Sequence, residues 1–226
     1  MNELPKSISG VLLGNELLDA MPCKLLQRRA GAWFERCVAW DEANGLAWLE
    51  LPTALRPPLE VAGEHDYTTE IHPQAEAFVT TLASQMQQAV LLLIDYGFGE
   101  REYYHPQRHM GTLMCHHQQR ADANPLALVG EKDITTHVNF TAIAVAAQNA
   151  GLDVLGYTSQ GRFLLNCGLL QRLESASLAE RANAQKLVTE HEMGELFKVI
   201  ALCTPDLTDS LAGTLGFAVG DRTHTL

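Results

Sequence analysis

Two short apolar runs end abruptly in side chains that can carry charge or exchange protons. In GVLLGNELLDAMP, residues 10–22, the run gives way to Asn15, Glu16 and Asp19, and the run from Ala89 to Ile94 is followed at once by Asp95, Tyr96 and Gly97. An uninterrupted apolar stretch is what a strand covered on both faces requires. In open α/β sheets, ligands sit beyond the carboxyl ends of such strands, so these two polar clusters are the first candidates for chemistry. Each also has a plainer reading. Asn15 and Asp19 can cap and open a helix over LLDAMP, and Asp95 can accept backbone amides in a turn before Gly97.

A third candidate is DITTHVNF, where Asp133 and His137 stand four apart at an expected helix start. A carboxylate at that spacing can orient an imidazole that acts as a general base, with capping by Asp133 and a surface place for His137 as the alternative. His105, His109, Cys115, His116 and His117 raise the question of a metal. His105 and His109 have a zinc-compatible helical spacing, but Pro106 and its turn-like surroundings work against one regular helix, and no metal is expected.

The elements that must position these residues read as follows. WFERCVAW and LAWLEL flank the turn-rich DEANG as an inserted hairpin. Ile71, Ala75, Phe78, Leu82 and Met86 recur at helical steps, with Pro73 in the first turn. A short strand is expected from Thr112 to His116, followed by the turn ADANP. Asn139 is a fitting N-cap for FTAIAVAAQNA, which Gly151 can end in a left-handed conformation. Leu152 to Tyr157 reads as a third parallel strand, Ser175 to Glu190 as a polar helix, residues 196–203 as a further strand, and GTLGFAVGDR as a tight final turn or hairpin. No repeat or linker divides residues 1–226, so one domain is expected.

With 46% hydrophobic and 19% charged residues the chain has the composition of a globular protein. A formal charge of -11 and the absence of any Lys/Arg run exclude binding driven by a phosphate backbone, and suit a basic peptide better. Residues 89–94, the longest apolar run, fall far short of the roughly 20 residues that cross a bilayer. The start MNELPKSISG lacks a basic region followed by an apolar one. A cytoplasmic protein with no membrane partner is therefore expected. Five cysteines, scattered and odd in number, suit buried thiols in a reducing compartment.

The blocks NELLDAMP, IDYGF, GTLMCHH, GEKDITTHVNFTA, GYTSQGRFLLNCGL and MGELFKVIAL, in this order, resemble the MidA-like S-adenosylmethionine-dependent methyltransferases. That family includes the mitochondrial complex I assembly factor that methylates an arginine. The resemblance implies an α/β fold, the C-terminal portion of a Rossmann-like class I methyltransferase. Its mixed sheet would have residues 10–14 beside 90–95, a final antiparallel strand at 196–203 and an inserted β-hairpin. It implies that Glu16 binds a guanidinium, that Asn15 stands at the boundary of cofactor and acceptor, and that Asp19 supports them. Asp95 and Tyr96 would then line the acceptor pocket, and the spacing noted above offers His137 as the catalytic base with Asp133 to orient it. It also implies a protein substrate, such as an arginine-containing respiratory-complex subunit.

Members of this family carry, upstream of the NELLDAMP-like block, a glycine-rich turn and an acidic residue for the cofactor's ribose. Here nine residues precede the strand and no GxGxG follows any early strand. The expectation is a partial fold, lacking the main S-adenosylmethionine motif, that self-associates or takes a partner supplying the missing half. A non-catalytic binding or assembly module is the rival reading. A nicotinamide-dependent oxidoreductase would need the same glycine turn.

Overall fold

The computed structural model describes residues 5–43, 45–214 and 216–226. The start MNELPKSISG, the turn DEANG and the segment GTLGFAVGDR are therefore described without residues 1–4, Asn44 and Leu215 respectively, which lie outside the described residues.

Both apolar runs are strands. The first forms β1 (Ile8–Asn15), and the chain then passes through β2 (Lys24–Arg29), β3 (Ala32–Asp41), β4 (Gly45–Pro52), β5 (Tyr67–Ile71) and helix α1 (Pro73–Gln85). The second run lies within β6 (Met86–Phe98), which leads through α2 (Glu100–Tyr103) to β7 (Met114–His117), β8 (Arg120–Asp122), β9 (Asp133–Thr135) and β10 (Val138–Asn139). There follow α3 (Phe140–Asn149), β11 (Asp153–Ser159), α4 (Gln160–Asn166), α5 (Leu169–Leu173), α6 (Leu178–Val188) and β12 (Phe197–Cys203).

The main sheet has the order β1-β6-β12-β11, with β10 added at the end of β6. β1 runs parallel to β6 with Gly10 opposite Ala89 and Asn15 opposite Ile94. β12 is antiparallel, with Phe197 opposite Tyr96 and Cys203 opposite Val90. Alternation along β6 feeds two layers. Leu91 and Leu93 join Val79, Leu82, Ile143 and Ala147 of α1 and α3 in one core, whereas Leu92 and Ile94 face the cluster of Phe163, Val199, Ala201 and Phe217. These placements agree with the expected order of residues 10–14, 90–95 and 196–203. Residues 153–159 do run in the direction of β6, but they are hydrogen-bonded antiparallel to β12, so the expected third parallel strand is not parallel to its neighbour.

Among the described residues no further strand is paired to the β1 edge of this sheet. Val11 and Leu13 of β1 are 76% and 66% exposed. Such an edge is a template for further strands.

The hairpin of β3 and β4 belongs to a larger unit, a four-stranded antiparallel sheet of order β4-β3-β2-β5. Its other two strands were hidden from periodicity because they bury polar residues. Gln27, Arg28, Thr69 and Glu70 are all buried, with the Arg28 guanidinium held by the carbonyls of Val61 and His65. A third, small sheet has the order β8-β7-β9.

Helix boundaries correct several expectations. α1 occupies Pro73–Gln85, so Ile71 ends β5 and Met86 starts β6. LLDAMP is a turn, because Glu16 adopts a left-handed φ of 48° and the following amides are taken by a side chain on β6. Asp133 opens a strand, and the helix starts at Phe140, where the Asn139 side chain accepts from Ala142 N at 3.2 Å. Gly151 does take φ 86° after α3, and Ser177 with Glu180 forms a capping box at α6. Cys115 and Cys203 are buried, but Cys167 is exposed. No strand occurs among the described residues of 213–222.

Gly97 separates the aromatic residues Tyr96 and Phe98 because β10 lies against it. A Cβ at this position would come within 2.1 Å of the Val138 carbonyl oxygen. Gly97→Ala should cost about 1–3 kcal/mol, the range for overfilling a packed site, measured by urea unfolding. A loss below about 0.5 kcal/mol, within the range of neutral surface changes, would mean that β10 does not need this contact.

Candidate active site

Asp95 organises the carboxyl ends of β1 and β6. Its Oδ2 accepts the backbone amides of Leu17 (3.1 Å), Leu18 (2.9 Å) and Asp19 (3.2 Å), and its Oδ1 accepts Tyr96 N at 2.9 Å. β1 itself runs on by one bond, from Glu16 N to Ile94 O at 2.9 Å. The turn of residues 16–19 is thus bolted to β6 and delivers Asp19 to Tyr96, whose hydroxyl donates to Asp19 Oδ2. Burial, and next the Asp19 charge, push the Asp95 carboxyl up to about 7 against these amide bonds. Tyr96 is also raised, first by burial and then by its bond to Asp19.

Asp19 is 5% exposed and its second oxygen, Oδ1, is buried without a partner. An unpaired buried carboxylate oxygen is costly. His137 closes the neighbouring side. Its ring stacks on Phe98 (5.1 Å, 5°) and meets Tyr96 edge-on (5.1 Å), and Tyr96 in turn meets Phe197. The Arg108 guanidinium also lies over Phe98, 4.0 Å from the ring centre. Burial first, then Arg108, lower the imidazole to about 4, so it is neutral at pH 7. His137 Nδ1 is a second buried atom without a partner.

A buried carboxylate holds His137 in place through an intermediary. Glu70, 0% exposed, accepts Thr112 N (2.8 Å) and Leu113 N (3.0 Å) on Oε1 and the hydroxyls of Tyr103 (3.0 Å) and Thr112 (3.1 Å) on Oε2. Thr112 Oγ1 accepts His137 N at 3.0 Å. Burial raises the Glu70 carboxyl, opposed by these bonds.

The structure brings Asp19, Asp95, Tyr96 and His137 together. Asn15 and Glu16 sit at the rim, both exposed, with Asn15 Nδ2 donating to Glu16 Oε1 at 3.1 Å. The expected Asp133–His137 pair does not form. Asp133 is exposed on β9, where strand geometry replaces the helical spacing, and among the described residues no hydrogen bond joins it to His137. Phe98, Arg108, Thr112 and Phe197 were not singled out from sequence. The aromatic residues on both sides of Gly97 were the one visible signal.

A mixed sheet with carboxylates beyond the carboxyl ends of two adjacent parallel strands is the α/β arrangement in which ligands sit past the strand ends. Over residues 1–158 the chain matches the family described as "Putative S-adenosyl-L-methionine-dependent methyltransferase". That is most of its 226 residues, and the chain belongs to this S-adenosylmethionine-dependent methyltransferase family. It is 44% identical, with a TM-score of 0.91, to a Burkholderia thailandensis protein described as a "likely methyl transferase" bound to S-adenosyl-homocysteine, matching 100% of this chain and 60% of that one. A native structure of an uncharacterized protein from the same organism gives 44%, a TM-score of 0.90 and coverages of 100% and 62%. The mitochondrial protein arginine methyltransferase NDUFAF7 homolog of Caenorhabditis elegans is 23% identical over 246 residues, 99% of this chain and 54% of that protein. The chain thus spans about half the length of this curated relative.

The described residues fit the acceptor side of such a site better than the nucleoside side. Asp19 leaves one buried carboxylate oxygen for a cation, whereas β1 ends in Asn15 and is followed by Glu16 and not by glycines that let backbone approach a nucleoside. Among the described residues no helix is long and apolar enough to cross a membrane.

The titrating groups predict an acid response. The folded state holds the Asp95 proton up to about pH 7 against an ordinary 3.8, so this contribution to stability is present below about 4 and is lost as pH rises to 7. His72 and His137 are lowered from 6.5 to about 4, so theirs is present above 6.5 and is lost as pH falls to 4. The two trends oppose each other between about pH 4 and 6.5. Asp95→Asn removes one of them, and the variant's stability should fall more steeply than the parent's on acidification through that window, read from urea unfolding at stepped pH. Equal slopes would contradict the assignment.

Proposed function

We propose that the protein is a protein-arginine N-methyltransferase and that this chain forms the side of the site that receives the arginine. The supporting observation is the unpartnered Oδ1 of buried Asp19, which is held by the Tyr96 hydroxyl, with the Tyr96 ring packed in turn against His137 and His137 stacked on Phe98. A guanidinium offers N–H donors in a planar fork that matches a carboxylate. The arginine methyltransferase named among the relatives supports this choice of acceptor.

S-adenosylmethionine supplies the methyl group when bound. The chain's own residues hold and orient the acceptor. Asp19 Oδ1 accepts an N–H from the guanidinium while Tyr96 keeps the other oxygen occupied, so that one nitrogen is presented at the carboxyl ends of β1 and β6. Glu16 at the rim completes the carboxylate grip, and Asn15 marks the boundary towards the cofactor. His137 enters as a neutral imidazole whose free Nδ1 takes up the proton that leaves the methylated nitrogen, a weak base at about 4. It acts without Asp133. The aromatic wall excludes water from the acceptor nitrogen.

The edge of β1, to which no further strand is paired among the described residues, supports placing the nucleoside cradle on further strands beside it, from elsewhere in a longer protein, from a second copy or from a partner. The chain by itself should accordingly bind S-adenosylmethionine no better than at millimolar concentration in calorimetry. Micromolar binding by these residues alone would show that they form a cradle of their own.

Acceptor recognition is tested by titrating a short arginine peptide and its citrulline counterpart. Asp19→Asn should weaken arginine binding at least tenfold and leave citrulline unchanged, since a hydrogen bond to a charged group is worth about 1.5–3 kcal/mol. Equal affinity for both peptides in the parent protein would overturn the guanidinium reading.

A further inference from the structure

A cleft of about 590 Å³ opens beside Asp19, between the four-stranded sheet and the small sheet that carries β9. One wall is a single face of the four-stranded sheet, since Val38 lies opposite Trp48 across β3 and β4 and Leu46 lies further along the same strands. The other wall carries Leu126, Val129 and Ile134. Val38, Leu46, Val129 and Ile134 are all exposed, so two apolar walls face each other across an open channel. The volume falls within the roughly 300–1,000 Å³ of ligand clefts.

The charges in this channel identify the occupant. Lys24 is paired with Glu35 at 2.7 Å. The Arg36 guanidinium lies over the Trp48 ring at 4.3 Å, opposite Glu50 across the strands. That leaves two polar atoms among the lining residues buried without a partner, the acceptor Asp19 Oδ1 and the donor Arg36 Nε. A cationic side chain satisfies the first and a peptide carbonyl the second, and apolar side chains fill the space between the walls. An extended polypeptide carries all three; a free small cation carries only the first.

We propose that this cleft is the docking groove for an extended segment of a protein substrate, and that it selects apolar residues next to the cationic acceptor held by Asp19. The proposal rests on the acceptor reading above and adds what surrounds the acceptor. Specificity then comes from the sheet insert and the β9 loop, while the acceptor chemistry comes from the strand ends of the main sheet.

The test uses fluorescence anisotropy with four labelled nine-residue peptides. Two have a central arginine, flanked by leucine and isoleucine or by serine, and two have citrulline in its place. The leucine and isoleucine flanks should improve affinity at least tenfold, as expected for burying one or two aliphatic side chains. Val129→Asp and Leu46→Asp, on opposite walls at exposed positions, should each remove that advantage while the preference for arginine over citrulline survives. Unchanged thermal unfolding establishes that both variants are folded. Equal affinity for both flanks, or a flank advantage that survives both substitutions, overturns the groove. So does light scattering that shows a dimer broken by Val129→Asp, with no peptide bound. A flank advantage without any preference for arginine supports the groove and removes the guanidinium assignment instead.

Discussion

The buried carboxylate of Asp95 is the constraint from which the site follows. One side chain at the end of the central strand accepts three consecutive amides of the neighbouring loop and a fourth from its own strand. Those amides have no helix to serve, because Glu16 turns the chain into a left-handed conformation. The loop is held by hydrogen bonds that water cannot easily replace, since Asp95 is 1% exposed. Burial, and next the neighbouring Asp19, raise the proton affinity of Asp95, and the amide bonds it accepts oppose that rise.

The aromatic frame obeys a similar economy. Gly97 lets the backbone of β10 lie against β6, so that Tyr96 and Phe98 flank His137 without steric conflict. Glu70 then fixes Thr112, and Thr112 fixes the backbone of His137. Within this frame Asp19 Oδ1 and His137 Nδ1 are left without a partner, two of the five such buried side-chain atoms among the described residues, the others being Arg36 Nε, His72 Nδ1 and Asn139 Nδ2. A protein that needed these residues only for stability would gain by pairing them.

Much of this was legible in the sequence. The runs at residues 10–14 and 89–94 were legible as neighbouring strands, although only the second is buried and β1 leaves Val11 and Leu13 exposed, and their polar ends drew attention to Asp19, Asp95 and Tyr96. The block resemblance carried the strand order. The spacing of Asp133 and His137 misled, since a separation of four has meaning only on a helix and this segment is extended until Asn139 caps α3. β2 and β5 escaped because Arg28 and Glu70 are buried polar residues whose partners lie 33 to 43 positions away along the chain, beyond the reach of local periodicity. The cleft beside Asp19 lies between the hairpin strands β3 and β4 and the β9 segment, a juxtaposition that local periodicity does not give.

The proposed mechanism stands on Asp19 Oδ1 receiving the acceptor cation. A crystal structure of the chain with a bound arginine peptide addresses it most directly. A guanidinium nitrogen is expected within hydrogen-bond distance of Asp19 Oδ1, with the Tyr96 hydroxyl still donating to Oδ2. A guanidinium bound elsewhere on the chain, with Oδ1 left unpaired or satisfied by water, would contradict it.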